Sequence, residues 1–176
     1  MLPAVFIDRD NTLIANDGDL GDPEEVTLLS GLHEGLRKLA QSGFALVVVT
    51  NQGGVARGKY TEADVQRVHD RVQELIGSEI PLSFYFCPFH PNGVLPEYTR
   101  EHPWRKPAPG MLLAAAQEHE LDLSRSWMVG DQLRDIEAGH AAGCKTVFIG
   151  PEHEQCNATH KALNFQEAVE AILAAS

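Results

Sequence analysis

Cysteine, basic side chains and long apolar runs are all scarce in this sequence, and each shortage removes a class of protein. Its three cysteines, Cys87, Cys144 and Cys156, are odd in number and widely spaced among 176 residues. They do not form a disulfide framework and are expected to stay reduced. No apolar run approaches the roughly 18–20 residues that span a bilayer. Met1-Leu2-Pro3 leads to Asp8 without the basic stretch of a secretory leader. A cytoplasmic protein without a membrane partner is the expectation. Only 14 Lys and Arg face 25 Asp and Glu, a formal net charge of -11, which repels polyanions and argues against nucleic acid as a partner. A small phosphorylated metabolite remains compatible, because a few local cations and a metal ion override the global field at short range.

Hydrophobic residues at 43% and charged residues at 22% are ordinary for a folded chain. The length suits a single domain over 1–176, expected to act as a monomer. Ala4–Asp8, Phe44–Thr50, Ser83–Cys87, Ser126–Gly130 and Lys145–Gly150 are short apolar runs, several β-branched, and read as strands buried on both faces. Helical spacing fills the gaps. Leu32, Leu36, Leu39 and Ala40 share a face before Gly43. Thr61 and Asp64 form a capping box ahead of Val65, Val68, Val72 and Leu75. Further helices are predicted from Pro109-Gly110 to about His119, over Leu133–Ala142 and from Asn164, where Glu167 is the box partner. Strand and helix in alternation predict an α/β fold, a doubly wound parallel sheet flanked by helices. Two long loops, 11–30 and 88–107, interrupt that alternation, and loops of such length are usually functional.

Ligands of such sheets bind at the carboxyl ends of the strands. Asp8, Asp10 and Thr12 follow the first strand, Thr50-Asn51-Gln52 the second, and Asp131 with Asp135 the fourth. Any one of these clusters could be no more than turn formers and helix caps. All three together with Arg105-Lys106-Pro107 fit that account poorly.

Asp8-x-Asp10-x-Thr12, Thr50, Lys106 and Asp131-x-x-x-Asp135 resemble the four ordered motifs of the haloacid dehalogenase (HAD) superfamily, in its phosphatase branch. FIDRD, ALVVVTNQGGVARGKYTEA, CPFHP, RKPAPGMLLAA and MVGDQLRDIEAG further resemble the heptose bisphosphate and histidinol-phosphate phosphatases, small members without a large cap domain. The resemblance implies a Mg²⁺-dependent phosphomonoester hydrolase. Asp8 would be the nucleophile that forms an aspartyl-phosphate, and Asp10 the acid and base. Asp8 and Asp131, with the Asp10 carbonyl, would hold Mg²⁺. Thr50, Asn51 and Lys106 would hold the phosphoryl oxygens, and Asp135 would orient metal waters or Lys106 from farther out. Glycine is usual where Asn11 stands, and asparagine is the residue next most tolerant of a left-handed backbone.

Substrate contacts are expected from Gln52, from Asn16 and Asp17 in the first long loop, from Arg105 toward a distal phosphate and from Arg134. For Arg57 and Lys59 a solvated turn is an equal reading. Heptose 1,7-bisphosphate is the leading substrate by this likeness, with histidinol phosphate or another sugar phosphate the alternatives. A polynucleotide 3'-phosphatase and a non-catalytic phosphate-binding protein are less consistent with the charge and the intact motifs. Relatives carry a zinc loop, but here only Cys87 and His102 remain of its four ligands, Phe89 and Trp104 replacing the others. No zinc is expected, even with His90 offered as a third ligand. Phe89, Pro91, Pro103 and Trp104 are expected to pack the loop instead. His33, His69, His119, His140, His153 and His160 show no spacing that suggests a site, and Cys156 lies in a polar loop that could expose it.

Overall fold

The computed structural model describes residues 1–151 and 156–176, so His153 lies outside the described residues. Along the chain run β1 (Ala4–Ile7), α1 (Leu32–Gln41), β2 (Ala45–Asn51), α2 (Glu62–Ile76), β3 (Ser83–Cys87), α3 (Gly110–Glu118), β4 (Trp127–Gly130), α4 (Leu133–Ala142), β5 (Lys145–Ile149), β6 (His160–Ala162) and α5 (Phe165–Ala174). The six strands form one parallel sheet in the order β3-β2-β1-β4-β5-β6. The doubly wound reading therefore holds, with β6 added to the five expected strands. It was hidden by its brevity and by two polar residues in three. His160 is fixed there by stacking on Trp127, ring centroids 5.6 Å apart.

Alternate residues of each strand feed two cores. Val5 and Ile7 of β1 pack with Leu36 and Leu39 of α1, Val68 and Val72 of α2, and Val169 and Ile172 of α5. Ala4 and Phe6 point the other way, toward Met111, Leu112 and Ala115 of α3 and Ala138 and Ala142 of α4. Burial on both sheet faces accounts for continuous apolar strands where a half-exposed sheet would show alternation. At the head of α2 the Asp64 amide donates to Thr61 Oγ1 at 3.2 Å, and the Thr61 amide donates to Asp64 Oδ2 at 2.7 Å. At α5 the Glu167 amide donates to Asn164 Oδ1, but the return bond to Glu167 comes from the Leu163 amide.

The first long loop is tied to the core, since Leu13, Ile14, Leu20 and Val26 insert into it and Ile14 bridges to both Asp10 and Leu28. One expectation changes here. Cys156 is buried beside Ile136 and Phe148. No helix among the described residues is long and apolar enough to cross a membrane.

Candidate active site

Because β1 is central and its neighbours β2 and β4 are reached by connections running in opposite directions, a crevice opens beyond its carboxyl end. Asp8 leaves β1 there, its amide donating to the Val129 carbonyl at 2.9 Å. Thr50 lies near the end of β2 and Asp131 directly after β4. The loop between β3 and α3 delivers Lys106. A cavity of about 300 Å³ results, large enough for a small metabolite.

Lys106 anchors the floor. Its Nζ donates to Asp8 Oδ1 and to the Val49 carbonyl, both at 2.7 Å, and is ion-paired with Asp135 Oδ1 at the same distance. Burial alone would strip its proton, but Asp135 and Asp8 outweigh that and hold the Lys106 pKa above its ordinary value. Lys106 thereby fixes the nucleophile candidate while still lining the cavity where a phosphate would sit. Asp135 also accepts from the Gln132 amide at 3.0 Å through its other oxygen. A Cβ on Gly130 would sit 2.3 Å from Asp135 Oδ2, so glycine alone admits this approach.

Burial, reinforced by the charge of Asp135 and opposed by Lys106, raises the Asp8 pKa to about 6. Burial raises Asp131 also. Asp8, Asp131 and Asp135 bring carboxylate oxygens within 4.8 Å of one another, three acids against one ammonium. Asp131 Oδ1 is buried without a hydrogen-bond partner. Hard oxygen donors, surplus negative charge and an orphaned carboxylate oxygen fit a divalent cation. Asp135, already spent on Lys106 and Gln132, is placed to orient the others.

Asp10 is held by donors on every side. Its Oδ1 accepts from Arg9 Nη2 at 3.0 Å, Arg9 Nε at 3.2 Å and Asn16 Nδ2 at 2.9 Å. Its Oδ2 accepts from Gln52 Nε2 at 2.9 Å and Thr50 Oγ1 at 3.3 Å. Burial pushes the Asp10 pKa up, yet Arg9, Asn16 and Gln52 outweigh it and hold the carboxyl below its usual range. Asn11 takes φ 59°, and its carboxamide exchanges two hydrogen bonds with the Asn16 backbone, which sets Asn16 against Asp10.

Several expected substrate contacts are already committed. Asn51 Oδ1 accepts from the Lys106 amide and its Nδ2 donates to the Lys106 carbonyl, both at 2.9 Å. Its carboxamide clasps the loop that delivers Lys106. Gln52 donates to Asp10 and Thr50 and accepts from the Tyr60 hydroxyl at 2.7 Å. Asp17 is exposed and lies off the cavity wall. Asp19 takes its place, 2.5 Å from Arg57 Nη2. Arg105 and Arg134 do line the cavity with Arg57, whereas Lys59 does not. Burial, with Arg134 and Arg57 close by, pulls the Arg105 guanidinium below its ordinary pKa. Sequence reasoning missed Arg9, Tyr60 and Gln132. The sequence carried a signal for His69, which falls four residues after Val65 on the buried face of α2.

The second long loop is packed by aromatics as expected. Phe89 stacks on His102 at 4.4 Å, Arg100 sits 4.1 Å over the Phe89 ring, and Trp104 meets Tyr85 edge-on. His102 Nδ1 accepts from the Trp104 amide and His90 Nδ1 from the Asn92 amide.

A HAD-hydrolase-like family model matches residues 103–168. Over 150 residues the chain is 40% identical to the D-glycero-beta-D-manno-heptose-1,7-bisphosphate 7-phosphatase of Escherichia coli (strain K12), covering 84% of this chain and 78% of the relative. It is also 40% identical over 153 residues to the D-glycero-D-manno-heptose-1,7-bisphosphate 7-phosphatase of Thermosynechococcus vestitus, with the same coverages. Among solved structures, a HAD-like phosphatase from Mesorhizobium loti superposes with a TM-score of 0.88 at 36% identity, over 99% of this chain and 85% of that one. The D,D-heptose 1,7-bisphosphate phosphatase of B. bronchiseptica, complexed with magnesium and phosphate, shares the fold at a TM-score of 0.85 and 24% identity, over 99% and 100% of the two chains.

Proposed function

The chain belongs to the HAD-like hydrolases as a phosphatase, and we propose that it removes the 7-phosphate of D-glycero-D-manno-heptose 1,7-bisphosphate with Mg²⁺ as cofactor. The observation that carries the reading is one cavity with a buried carboxylate floor and a guanidinium rim, Arg57, Arg105 and Arg134, which suits a metabolite bearing two phosphates. We take the cytoplasm as the setting, a reading supported by the free thiols Cys87, Cys144 and Cys156.

Asp8 attacks phosphorus, forming an acyl-phosphate bond as the bond to the sugar oxygen breaks. Lys106 keeps Asp8 aimed and favours its ionised form. Asp10, held ionised by its donors, takes up a proton as the anionic substrate binds and delivers it to the departing alkoxide, then takes one from the water that hydrolyses the aspartyl-phosphate and regenerates Asp8. Asp8 and Asp131, with the Asp10 carbonyl, would hold Mg²⁺, which supplies neutralising charge for the phosphate and the Asp8 carboxylate. Thr50 Oγ1, already turned to Asp10, stands ready to donate to a phosphoryl oxygen.

Asp8→Asn is expected to abolish Mg²⁺-dependent phosphate release from every ester, and retained turnover would refute the mechanism. For the substrate, kcat/KM is compared on the heptose bisphosphate and on histidinol phosphate. A preference above about tenfold for histidinol phosphate, or about 1.4 kcal/mol, would replace the substrate named here.

A further inference from the structure

Arg9 is 0% exposed and does not line the cavity, whereas Asp10 does. A buried guanidinium is costly unless paired, and the pairing here is lopsided. Nε and Nη2 converge on Asp10 Oδ1 at 3.2 and 3.0 Å, with Oδ2 3.4 Å from Nη2. Nη1 lies 3.4 Å from Nε2 of His69, on α2. His69 is itself 0% exposed and stacks on Phe84, ring centroids 4.6 Å apart. Accepting from Arg9 at Nε2 puts its proton on Nδ1, so the ring is a neutral acceptor. The other groups that reach Asp10, namely Asn16, Gln52 and Thr50, are uncharged. Arg9 therefore directs its charge onto one carboxylate from behind, and a helix far along the chain braces it.

We propose that Arg9, braced by His69, is the positioning residue that aims the Asp10 carboxyl at the leaving oxygen. The inference rests on Asp10 acting as the proton donor. Its role separates from general support of the fold through the leaving group. A sugar alkoxide needs a proton as it departs, whereas p-nitrophenolate does not.

The experiment is single-turnover kinetics with Mg²⁺ on the heptose bisphosphate and on p-nitrophenyl phosphate, the second read as a nitrophenolate burst. Arg9→Gln is expected to slow the sugar ester about 100-fold with KM little changed, and the burst by less than about 3-fold. Arg9→Lys should recover about tenfold of the loss. His69→Phe, which keeps the stacking, should show the same selectivity at about 5-fold. Asp10→Asn is the control for the underlying reading. Equal losses on both esters in Asp10→Asn would remove Asp10 as proton donor. Selectivity there, with equal losses or none in Arg9→Gln, would overturn the positioning role alone. If Arg9→Gln fails to fold by circular dichroism, folded His69→Phe decides: without selectivity, the brace is refuted.

Discussion

At the floor of the cavity Asp8, Thr50, Lys106 and Asp135 are each less than a tenth exposed, and each touches another of the set or Asp10. At the rim, Arg57 and Arg105 are half-buried and Arg134 is exposed. They come from three different segments, and Arg57 alone among them has a carboxylate partner, Asp19, among the described residues. Strand ends, the head of α4 and the loop before α3 hold the floor to a narrow geometry, where a buried charge must be answered by another. Surface segments hold the rim, where water screens each charge and a change is tolerated. Under the proposed function the floor would carry the chemistry common to phosphate esters, and the rim the choice among them.

Four measurements test that division. Asp131→Asn removes an orphaned carboxylate from the floor. It should lower kcat/KM by about 10³ on all esters alike, while raising Tm by a few degrees in metal-free buffer as like charges are relieved. A loss confined to bisphosphates would place Asp131 with the rim. Arg105→Ala should raise KM for the heptose bisphosphate about 30-fold, as expected for a lost charge-assisted contact, and leave p-nitrophenyl phosphate within about twofold. Equal losses on both would move Arg105 to the floor.

Behind the floor, burial and the adjacent Arg9 push the His69 pKa from 6.5 down to about 3. As pH falls from 6.5 toward 3 the unfolded chain takes up the proton and the folded chain does not. Stability is then complete above pH 6.5 and lost below it, by about 1.4 kcal/mol per unit. Urea unfolding of His69→Phe should lack that share of the slope between pH 6.5 and 5.5, and an unchanged slope would refute the assignment. Asp19→Asn should have the smallest effect, an about 3-fold gain in kcat/KM for the bisphosphate over a monophosphate as Arg57 is released. A loss would show that Asp19 itself receives the sugar.

Much of the floor was legible because its residues sit at strand ends, and β-branched runs mark those ends. Asp8, Thr50 and Asp131 needed only the placement of β1, β2 and β4. Asn51 and Gln52 line the cavity as their strand-end places suggest, but the loop contact made by the Asn51 carboxamide was not legible. Its partner, the backbone of Lys106, lies 55 residues away, and no local pattern encodes that meeting. Asp17 and Asp19 could not be ranked while the loop's path was unknown. That path is set by Leu13, Ile14, Leu20 and Val26, whose irregular spacing fits neither helix nor strand. Arg9, an arginine between two aspartates, carried no pattern that marks it as buried.

The segment 88–105 leaves the sheet and returns to it at one spot. The Gln52 amide donates to the Cys87 carbonyl at 2.8 Å where the segment begins, and the Asn51 carboxamide grips Lys106 where it ends. In engineering terms it is a cassette with both connectors on two adjacent residues, Asn51 at the end of β2 and Gln52 just after it. A segment carrying other side chains in place of His90 and Arg105, spliced between Cys87 and Lys106, would re-tune which metabolite is accepted while the machinery beneath keeps running.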